Sequence, residues 1–597
     1  VGSQQIRPSQ FVITYGPGAI IEGKEGPRII LSPEIGLFGS SLSPDDFEIS
    51  DQRMSHGLLG GARIYRLPTN AELGLPADRY IYKTKPFPQW KLCLNLKEHK
   101  GGFYVLYHGP ACPVCKASGR KGQEAIRFIK ACSDGHMDEV DWYVIAHGRG
   151  SVCTHNSWFK WYGGGGSLSE VYIECPVCGS GKYTLGQVYQ WDWPCSGRFP
   201  EKEVGPQRFT STCDKPAKII QRQASNLRIP ELLTLFSIPP RHTRLHNLLQ
   251  TRPIYENLVG SRLSSPQELR RILQNLANAG LIKRNLMDEI LQYPWDEIAA
   301  AIKDVLEPIK ASYHELIVEE FHAFVDGSVN GIPPIRGPKP RSPVLIEINP
   351  HTVRRFKGPN GHVLRVTPVS RLRTVIVQRG YRRAVGTAGV PKLIDVSFPD
   401  LRNPHQRWYP GVEFFGEGIF IMMDSDDGWG FSVTGKAADR WMRVFSDPSN
   451  YPDYLFRDPA SRDELHPLFV WWHTFSHSLI RALSCEAGYS STSIRERVYV
   501  EISGERARGG VLLYATQPGS EGTLGGLVAM APYFQDIIDV AIENIEYCSG
   551  DPLCLEHEFQ PGSYNGSACY GCLLLSETSC EHRNMWLDRN VFLENLP

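Results

Sequence analysis

Fifteen cysteines are the residues of this chain whose types and spacing point most directly to chemistry, and they fall in two groups with none between Cys213 and Cys485. Three pairs have the C-x2-C spacing: Cys112/Cys115, Cys175/Cys178 and Cys569/Cys572. Two thiolates on one tight turn can reach a single tetrahedral ion, the arrangement used by zinc knuckles. In a reducing compartment such clusters read as metal ligands rather than disulfides. Taken in chain order, Cys175, Cys178, Cys195 and Cys213 make one four-thiolate set. Cys112 and Cys115 need two further ligands. Cys93 with His99 is the preferred pair, because a zinc ribbon places its ligand pairs on facing hairpins; Cys132, His136 and Cys153 are the rival source. Cys548, Cys554, Cys569 and Cys572 form a C-terminal set, with Cys580 in reserve. Four protein ligands leave no position for water, so two or three structural zinc ions are expected, holding loops rather than reacting.

Other signatures fail on inspection. Gly18 to Lys24 has the frame of a phosphate-binding loop, but Glu25 stands where a Ser or Thr hydroxyl must hold magnesium. Asp463-Glu464-Leu465-His466 mimics a helicase Walker B box without an apolar strand before it. His314-Glu315 begins like a zinc-protease motif, yet Val318 replaces the second ligand. Two constellations remain. His473 and His477 are four apart, on one face of an expected helix, and read as core or hydrogen-bonding histidines before a metal or proton-transfer role. The Gly519–Gly526 stretch follows a strand and opens a helix, where free N–H groups could meet an anion, although any tight turn uses the same glycines. An enzyme built on His473, His477 and that loop, a nuclease or phosphoryl-transfer catalyst, is one alternative function. No catalytic residue is assigned.

The elements that must position these residues follow from composition. Lys+Arg and Asp+Glu are equal at 64 each, which excludes global charge steering toward nucleic acid or membrane. Between Gly331 and Lys392, however, thirteen Lys/Arg stand against one acid, Glu347, a local net charge of +12. Arg354, Arg355, Lys357, Arg371, Arg373, Arg379, Arg382 and Arg383 are the candidate DNA contacts, each able to displace counterions from a phosphate backbone. A partner interface and a solvated face are the other readings of that segment. The expected fold class is α+β and multidomain, with zinc-ribbon-like modules, a central helical region and a mixed α/β C-terminal domain. The boundaries are 1–90 (β-rich), 91–222 (zinc-binding), 223–330 (helical, from Ile229 to about Val325), 331–400 (basic, β-rich) and 401–597 (C-terminal). Ser265 is expected to cap a helix starting at Pro266, and 327–340 reads as a linker. No stretch approaches the ~20 apolar residues of a membrane helix and no signal peptide opens the chain, so a cytoplasmic protein is expected.

Several C-terminal motifs carry a resemblance. His473-Thr-Phe-Ser-His477, Gly488-Tyr489-Ser490, Arg495-Glu496-Arg497, the glycine-rich loop, Ala568-Cys-Tyr-Gly-Cys572 and Leu587-Asp588-Arg589 are similar to the uncharacterised C-terminal domain attached to many superfamily-2 helicases. Arg371-Leu372-Arg373, Gly380-Tyr381-Arg382-Arg383, Trp408-Tyr409-Pro410, Gly416-Glu417-Gly418, Cys132 to His136 and Arg7-Pro8-Ser9-Gln10 extend it across most of the chain. Together they resemble the stand-alone carriers of that domain in the bacterial phage-defence system DISARM. The family usually shows a C-x2-C near Cys93, where this chain has Cys93-Leu-Asn-Leu96. The resemblance implies a non-motor accessory subunit, a complex with a DrmA-like superfamily-2 helicase, DNA binding, and restriction of phage DNA. It also implies that ATP hydrolysis belongs to the partner. A purely scaffolding protein without DNA contact is the remaining alternative.

Overall fold

A computed structural model describes residues 6–595, except for residues 24–25, 32–45, 75, 77–82, 119–121, 164–165, 204–206, 240–243, 250, 260–262, 264, 307–310, 338–342, 387–390, 401–404, 425–430, 448–465, 487–489, 491, 505, 519–524, 562 and 577. Two strands of unusual length, Val363–Arg382 and Arg407–Met423, pair antiparallel and form the spine of a large mixed sheet. The spine continues through Arg506–Pro518 to Arg495–Ser503 on one side and through Val344–Ile348 to Ile332–Arg336 on the other. Ile229–Phe236 and Arg354–Lys357 also pair with the long strand, and Arg63–Arg66 joins Arg407–Met423 in parallel.

Side chains on a strand alternate between faces, and here both faces are covered. Ile419, Ile421, Val511, Leu513, Val498 and Val500 enter one core. Their neighbours Phe420, Met422, Leu512, Tyr514 and Tyr499 enter the other. Apolar residues therefore run continuously along these strands, the pattern of a sheet buried on both sides. Helix Tyr313–Asn330 covers one face with Leu316, Ile317, Phe321 and Phe324. Helix Pro467–Glu486 covers the other and is buried nearly all round; even its His473, Thr474, Ser476, His477 and Ser478 are fully enclosed. A helix apolar on every side belongs inside a core.

A second module hangs on two small antiparallel sheets. One orders Tyr172–Glu174, Trp158–Tyr162, Tyr104–His108, Trp90–Cys93 and Gln123–Ala125; the other orders Lys218–Gln221, Phe128–Ala131 and Met137–Glu139. Helices between Arg244 and Leu306 pack around their own core of Leu245, Leu249, Leu269, Leu273, Ile298 and Ile302. Ser265 accepts from the Glu268 N–H and caps Pro266–Asn278 as expected. The architecture is α+β with several zinc-ribbon-like cysteine clusters.

Three local expectations change. Ile229–Phe236 is a strand, not the start of the helical region; a short apolar run has no decisive period, and its partner is the distant Thr374–Arg382 stretch. Within the stretch 1–90 expected to be β-rich, the apolar run Phe11-Val12-Ile13 lies in the short helix Pro8–Ile13, with Pro8 at the first helical position and the Gln10 side chain accepting from the Arg7 N–H at 3.0 Å. The supposed linker from Gly327 is helix as far as Asn330 and then strand Ile332–Arg336. Gly327 is there for close packing, since a Cβ would sit 2.9 Å from Ile332 and Ile348, and Gly331 ends the helix at φ 76°. Compositional segments also do not map onto layers, because the large sheet takes strands from residues 63 to 518. Among the described residues, no helix is long and apolar enough to cross a membrane.

Candidate metal centres and the basic surface

Among the described residues, four thiol-rich tetrads are brought together by these elements, each with its ligand atoms within 4.8 Å of one another. The first is Cys93, His99, Cys112 and Cys115. Cys93 ends strand Trp90–Cys93, and Cys112 and Cys115 lie on the turn after the strand that pairs with it, Tyr104–His108. His99 Nδ1 faces the Phe103 carbonyl at 3.1 Å, which fixes the hydrogen on Nδ1 and leaves Nε2 toward Cys112 at 3.6 Å. A ligating imidazole is oriented in this way by its other nitrogen. His99 thus supplies the fourth ligand of this site.

The four cysteines expected as one set are divided between two sites. Cys195 and Cys213 join Cys132 and His136; Cys175 and Cys178 join His147 and Cys153. The second of these is nested inside the long loop of the first, so grouping by chain order crosses the two. Strands Phe128–Ala131 and Lys218–Gln221 pair and bring the outer ligands, Cys132 and Cys213, together. Helix Trp142–His147 and strand Tyr172–Glu174 supply the inner set. His136 presents Nδ1 to Cys132 at 3.3 Å while Nε2 bonds Ser211 Oγ at 2.8 Å. His147 presents Nδ1 to the Tyr143 carbonyl, and its buried Nε2 has no hydrogen-bond partner. A buried nitrogen without a hydrogen-bond partner beside three thiols fits a cation ligand. Cys132, His136 and Cys153, the rival source for the first site, thus serve the other two; His147 carries no spacing signal, since Ala146-His147-Gly148 sits in no recognisable knuckle.

The fourth tetrad is Cys548, Cys554, Cys569 and Cys572, without Cys580. Sulfur separations test the fit. Zinc–thiolate bonds of about 2.3 Å in a tetrahedron put sulfurs ~3.8 Å apart. The observed values are 3.4 Å for Cys548–Cys569, 3.8 Å for Cys554–Cys572, 3.7 Å for Cys569–Cys572 and Cys93–Cys115, 3.5 Å for Cys132–Cys195 and 3.9 Å for Cys153–Cys175. These are far longer than a disulfide of about 2.05 Å. Backbone N–H groups also point at the sulfurs: Val177 at Cys175, Gly197 at Cys195, Gly550 at Cys548. Without a cation the thiols split unevenly. The Cys195 S–H draws Cys132 down to about 4, and the same pairing pushes Cys195 up. A shared cation removes that conflict by favouring every thiolate. The chain carries several structural zinc sites.

His473 and His477 lie inside the core, on the enclosed helix Pro467–Glu486. They converge with Glu496 and Cys580, all four nearly inaccessible to solvent. A phosphodiester cannot reach them. Residues 519–524 of the loop lie outside the described residues, as do Lys24, Glu25 and Asp463–Leu465. The helix after the loop, Gly526–Ala529, has its Leu527 N–H bonded to Glu417 at 2.9 Å, so the chain's own carboxylate takes the place a phosphate would want. Glu315 of the protease-like dipeptide completes a capping box with Ser312.

The basic segment is partly neutralised by acids from elsewhere. Arg373 is buried against Glu413 at 2.8 Å and Asp51 at 3.9 Å. Arg383 is fully buried: it pairs with Glu201 at 3.4 Å and donates to the Gly135 and Gly18 carbonyls. Arg382 reaches Glu231 at 3.5 Å and the Pro391 carbonyl at 2.7 Å. Arg373 and Arg383 are therefore structural cations and not DNA contacts. Arg379 is half-buried. Arg354, Arg355, Lys357 and Arg371 remain exposed, although Arg355 bonds Asp424 at 2.6 Å. Three of these lie on Arg354–Lys357, which flanks the long strand on the side away from Arg407–Met423. Arg371 sits at the bulge between Val369 and Leu372 and shares with Arg336 the lining of a cavity of about 250 Å³.

Comparison with known proteins agrees with these centres. Residues 7–229 match a domain of unknown function, DUF8724, and residues 475–573 match the MrfA Zn-binding domain. Over 574 residues the chain is 27% identical to DISARM protein DrmB of Bacillus paralicheniformis, covering 89% of this chain and 91% of that protein. The chain resembles DrmB over nearly its whole length. The crystal structure of the DUF1998 helicase MrfA bound to DNA shares 11% identity at a TM-score of 0.18, over 35% of this chain and 21% of that one, a likeness too slight to compare folds.

In this DrmB-like chain the MrfA Zn-binding match contains all four cysteines of the Cys548–Cys572 tetrad, and DUF8724 contains the other three thiol-rich tetrads. The motif residues Gly380 to Arg383 and Cys132 to His136, far apart in the chain, meet where Arg383 grips the Gly135 carbonyl in the turn between Cys132 and His136. That contact joins the cysteine-rich region to the large sheet.

Proposed function

We propose that this chain is a non-motor accessory subunit of a DISARM-type anti-phage complex. The observation that carries the reading is the similarity to DrmB along 89% of the chain. In this reading a DrmA-like superfamily-2 helicase binds the chain and performs ATP hydrolysis. The zinc tetrads hold the loops of a docking platform, and the exposed cations Arg354, Lys357 and Arg371 reach the phosphates of a DNA path shared with the motor. The test is co-purification with the partner helicase, followed by its DNA-stimulated ATPase rate with and without this chain. A stable complex with a changed rate, and no turnover by this chain alone, is expected; turnover or DNA cleavage by the chain alone would sink the reading.

The DNA interaction has its own test. Arg354→Glu, Lys357→Glu and Arg371→Glu together should weaken DNA retention by the complex and flatten the dependence of log affinity on log salt, by roughly 0.9 for each phosphate no longer neutralised. An unchanged slope would leave Arg354–Lys357 as a charged edge strand that blocks unwanted pairing.

A further inference from the structure

His473, His477, Glu496 and Cys580 hold a buried arrangement that neither the cysteine tetrads nor the proposed function uses. The two histidines lie one turn apart on helix Pro467–Glu486 and are fully enclosed. Glu496 stands near the start of strand Arg495–Ser503, and Cys580 lies in the loop before the C-terminal helix Arg589–Leu593. His473 Nε2 is 2.7 Å from Glu496 Oε1 and 3.2 Å from Cys580 Sγ; His477 Nε2 is 3.2 Å from the same Glu496 oxygen.

The outer shell decides what these atoms are. His473 Nδ1 faces the Trp586 carbonyl at 3.3 Å, and His477 Nδ1 faces the Leu573 carbonyl at 2.9 Å. A carbonyl only accepts, so each Nδ1 carries the hydrogen and each neutral ring turns a bare Nε2 lone pair inward. The Ser476 hydroxyl donates to the other oxygen of Glu496. Cys580 Sγ accepts from the His582 and Asn584 N–H groups at 3.3 Å each, the same support given to Cys175, Cys195 and Cys548. Two imidazole nitrogens, a carboxylate oxygen and a sulfur therefore converge with their lone pairs on one point inside an apolar core.

Charge narrows the choice. Without a cation, bridging Glu496 from both rings requires two imidazolium ions against one carboxylate, a net positive charge buried among Trp472, Phe475 and Trp586. Burying unpaired charge there costs several kcal/mol. A divalent cation with one carboxylate, one thiolate and two neutral imidazoles sums to zero. We propose that His473, His477, Glu496 and Cys580 bind a divalent transition-metal ion, zinc by its borderline-soft N/O/S ligand preference. Four protein ligands and no solvent access make it a clamp rather than a hydrolytic centre. It fastens the C-terminal segment to both the central helix and the large sheet. The MrfA Zn-binding match includes His477 and Glu496 but neither His473 nor Cys580, and this tetrad shares no ligand with the Cys548–Cys572 site.

The experiment is zinc-edge anomalous diffraction from crystals of the full chain grown with zinc, alongside elemental analysis of the same protein and of Cys580→Ser. A peak between His473, His477, Glu496 and Cys580, and one fewer zinc per chain in Cys580→Ser, is the expected result. No peak there while the four thiol-rich tetrads show theirs overturns the proposal, as does an unchanged zinc count in folded Cys580→Ser. If the variant fails to fold, the wild-type anomalous map decides alone.

Discussion

The region holding the ligands from Cys93 to Cys213 and the large sheet with its enclosed helix Pro467–Glu486 solve the same problem in different ways. In the first, strands of three to five residues surround three tetrads, and sulfur ligands such as Cys132 and Cys175 are themselves part of the apolar cluster. Around the large sheet, strands of up to twenty residues and an enclosed helix build a larger core, which Cys554 and Cys572 of the fourth tetrad also enter. Small sheets bury too little apolar surface to offset chain entropy, so metal bonds replace packing in one region and supplement it in the other.

The largest effect that separates the two regions is zinc removal. Structural zinc contributes on the order of 10 kcal/mol in small domains, so chelation should strip amide protection from residues 91–222 while Val363–Arg382 and Pro467–Glu486 keep theirs in hydrogen exchange. Simultaneous loss in both regions would erase the distinction. A smaller break comes from Gly197→Ala. Gly197 has φ 67°, and a Cβ would fall 1.6 Å from the Ser211 carbonyl, which lies between the Cys195 and Cys213 ligands. The variant should lose one zinc per chain by elemental analysis and leave the Cys548–Cys572 site filled.

The reverse case is Leu479→Ala in the enclosed helix. It should cost about 2–5 kcal/mol by cavity formation, read as a lowered denaturation midpoint with zinc content unchanged. The smallest effect is electrostatic. Burial alone would raise Asp424, but Arg355 and Arg365 hold it below its ordinary 3.8. A depressed carboxylate stabilises the fold above its unfolded pKa and loses that contribution as pH falls through the folded one. Wild type should therefore exceed Asp424→Asn in stability at neutral pH, and the gap should close below about pH 4. A constant gap across that range would show that the hydrogen bonds, not the charge, carry the interaction.

How much of this is legible in the sequence depends on range. The C-x2-C pairs and the Cys548–Cys572 set need only spacing, because two ligands on one turn are a local property. The partner of Cys93 is legible for the same reason, with His99 a few residues away. Assigning Cys175 and Cys195 to different ions is not legible, since one loop is threaded within another and chain order carries no information about nesting. His147 and Glu496 have no ligand spacing to mark them, although Glu496 lies in the Arg495-Glu496-Arg497 motif. The +12 segment shows the opposite failure: its count is correct, yet Glu413, Glu201, Glu231 and Asp424, which neutralise part of it, come from strands and loops elsewhere.

Residue types and local spacing by themselves determined that this chain binds structural zinc, mixes helices with strands, and lacks a complete nucleotide-binding or metalloprotease motif. Only the tertiary structure decided which cysteines share an ion, which arginines meet solvent, and that His473 and His477 face Glu496 and Cys580. The physical reason is that ligand sets and ion pairs are closed by strand pairing across hundreds of residues, and pairing partners are chosen by the burial of whole sheet faces.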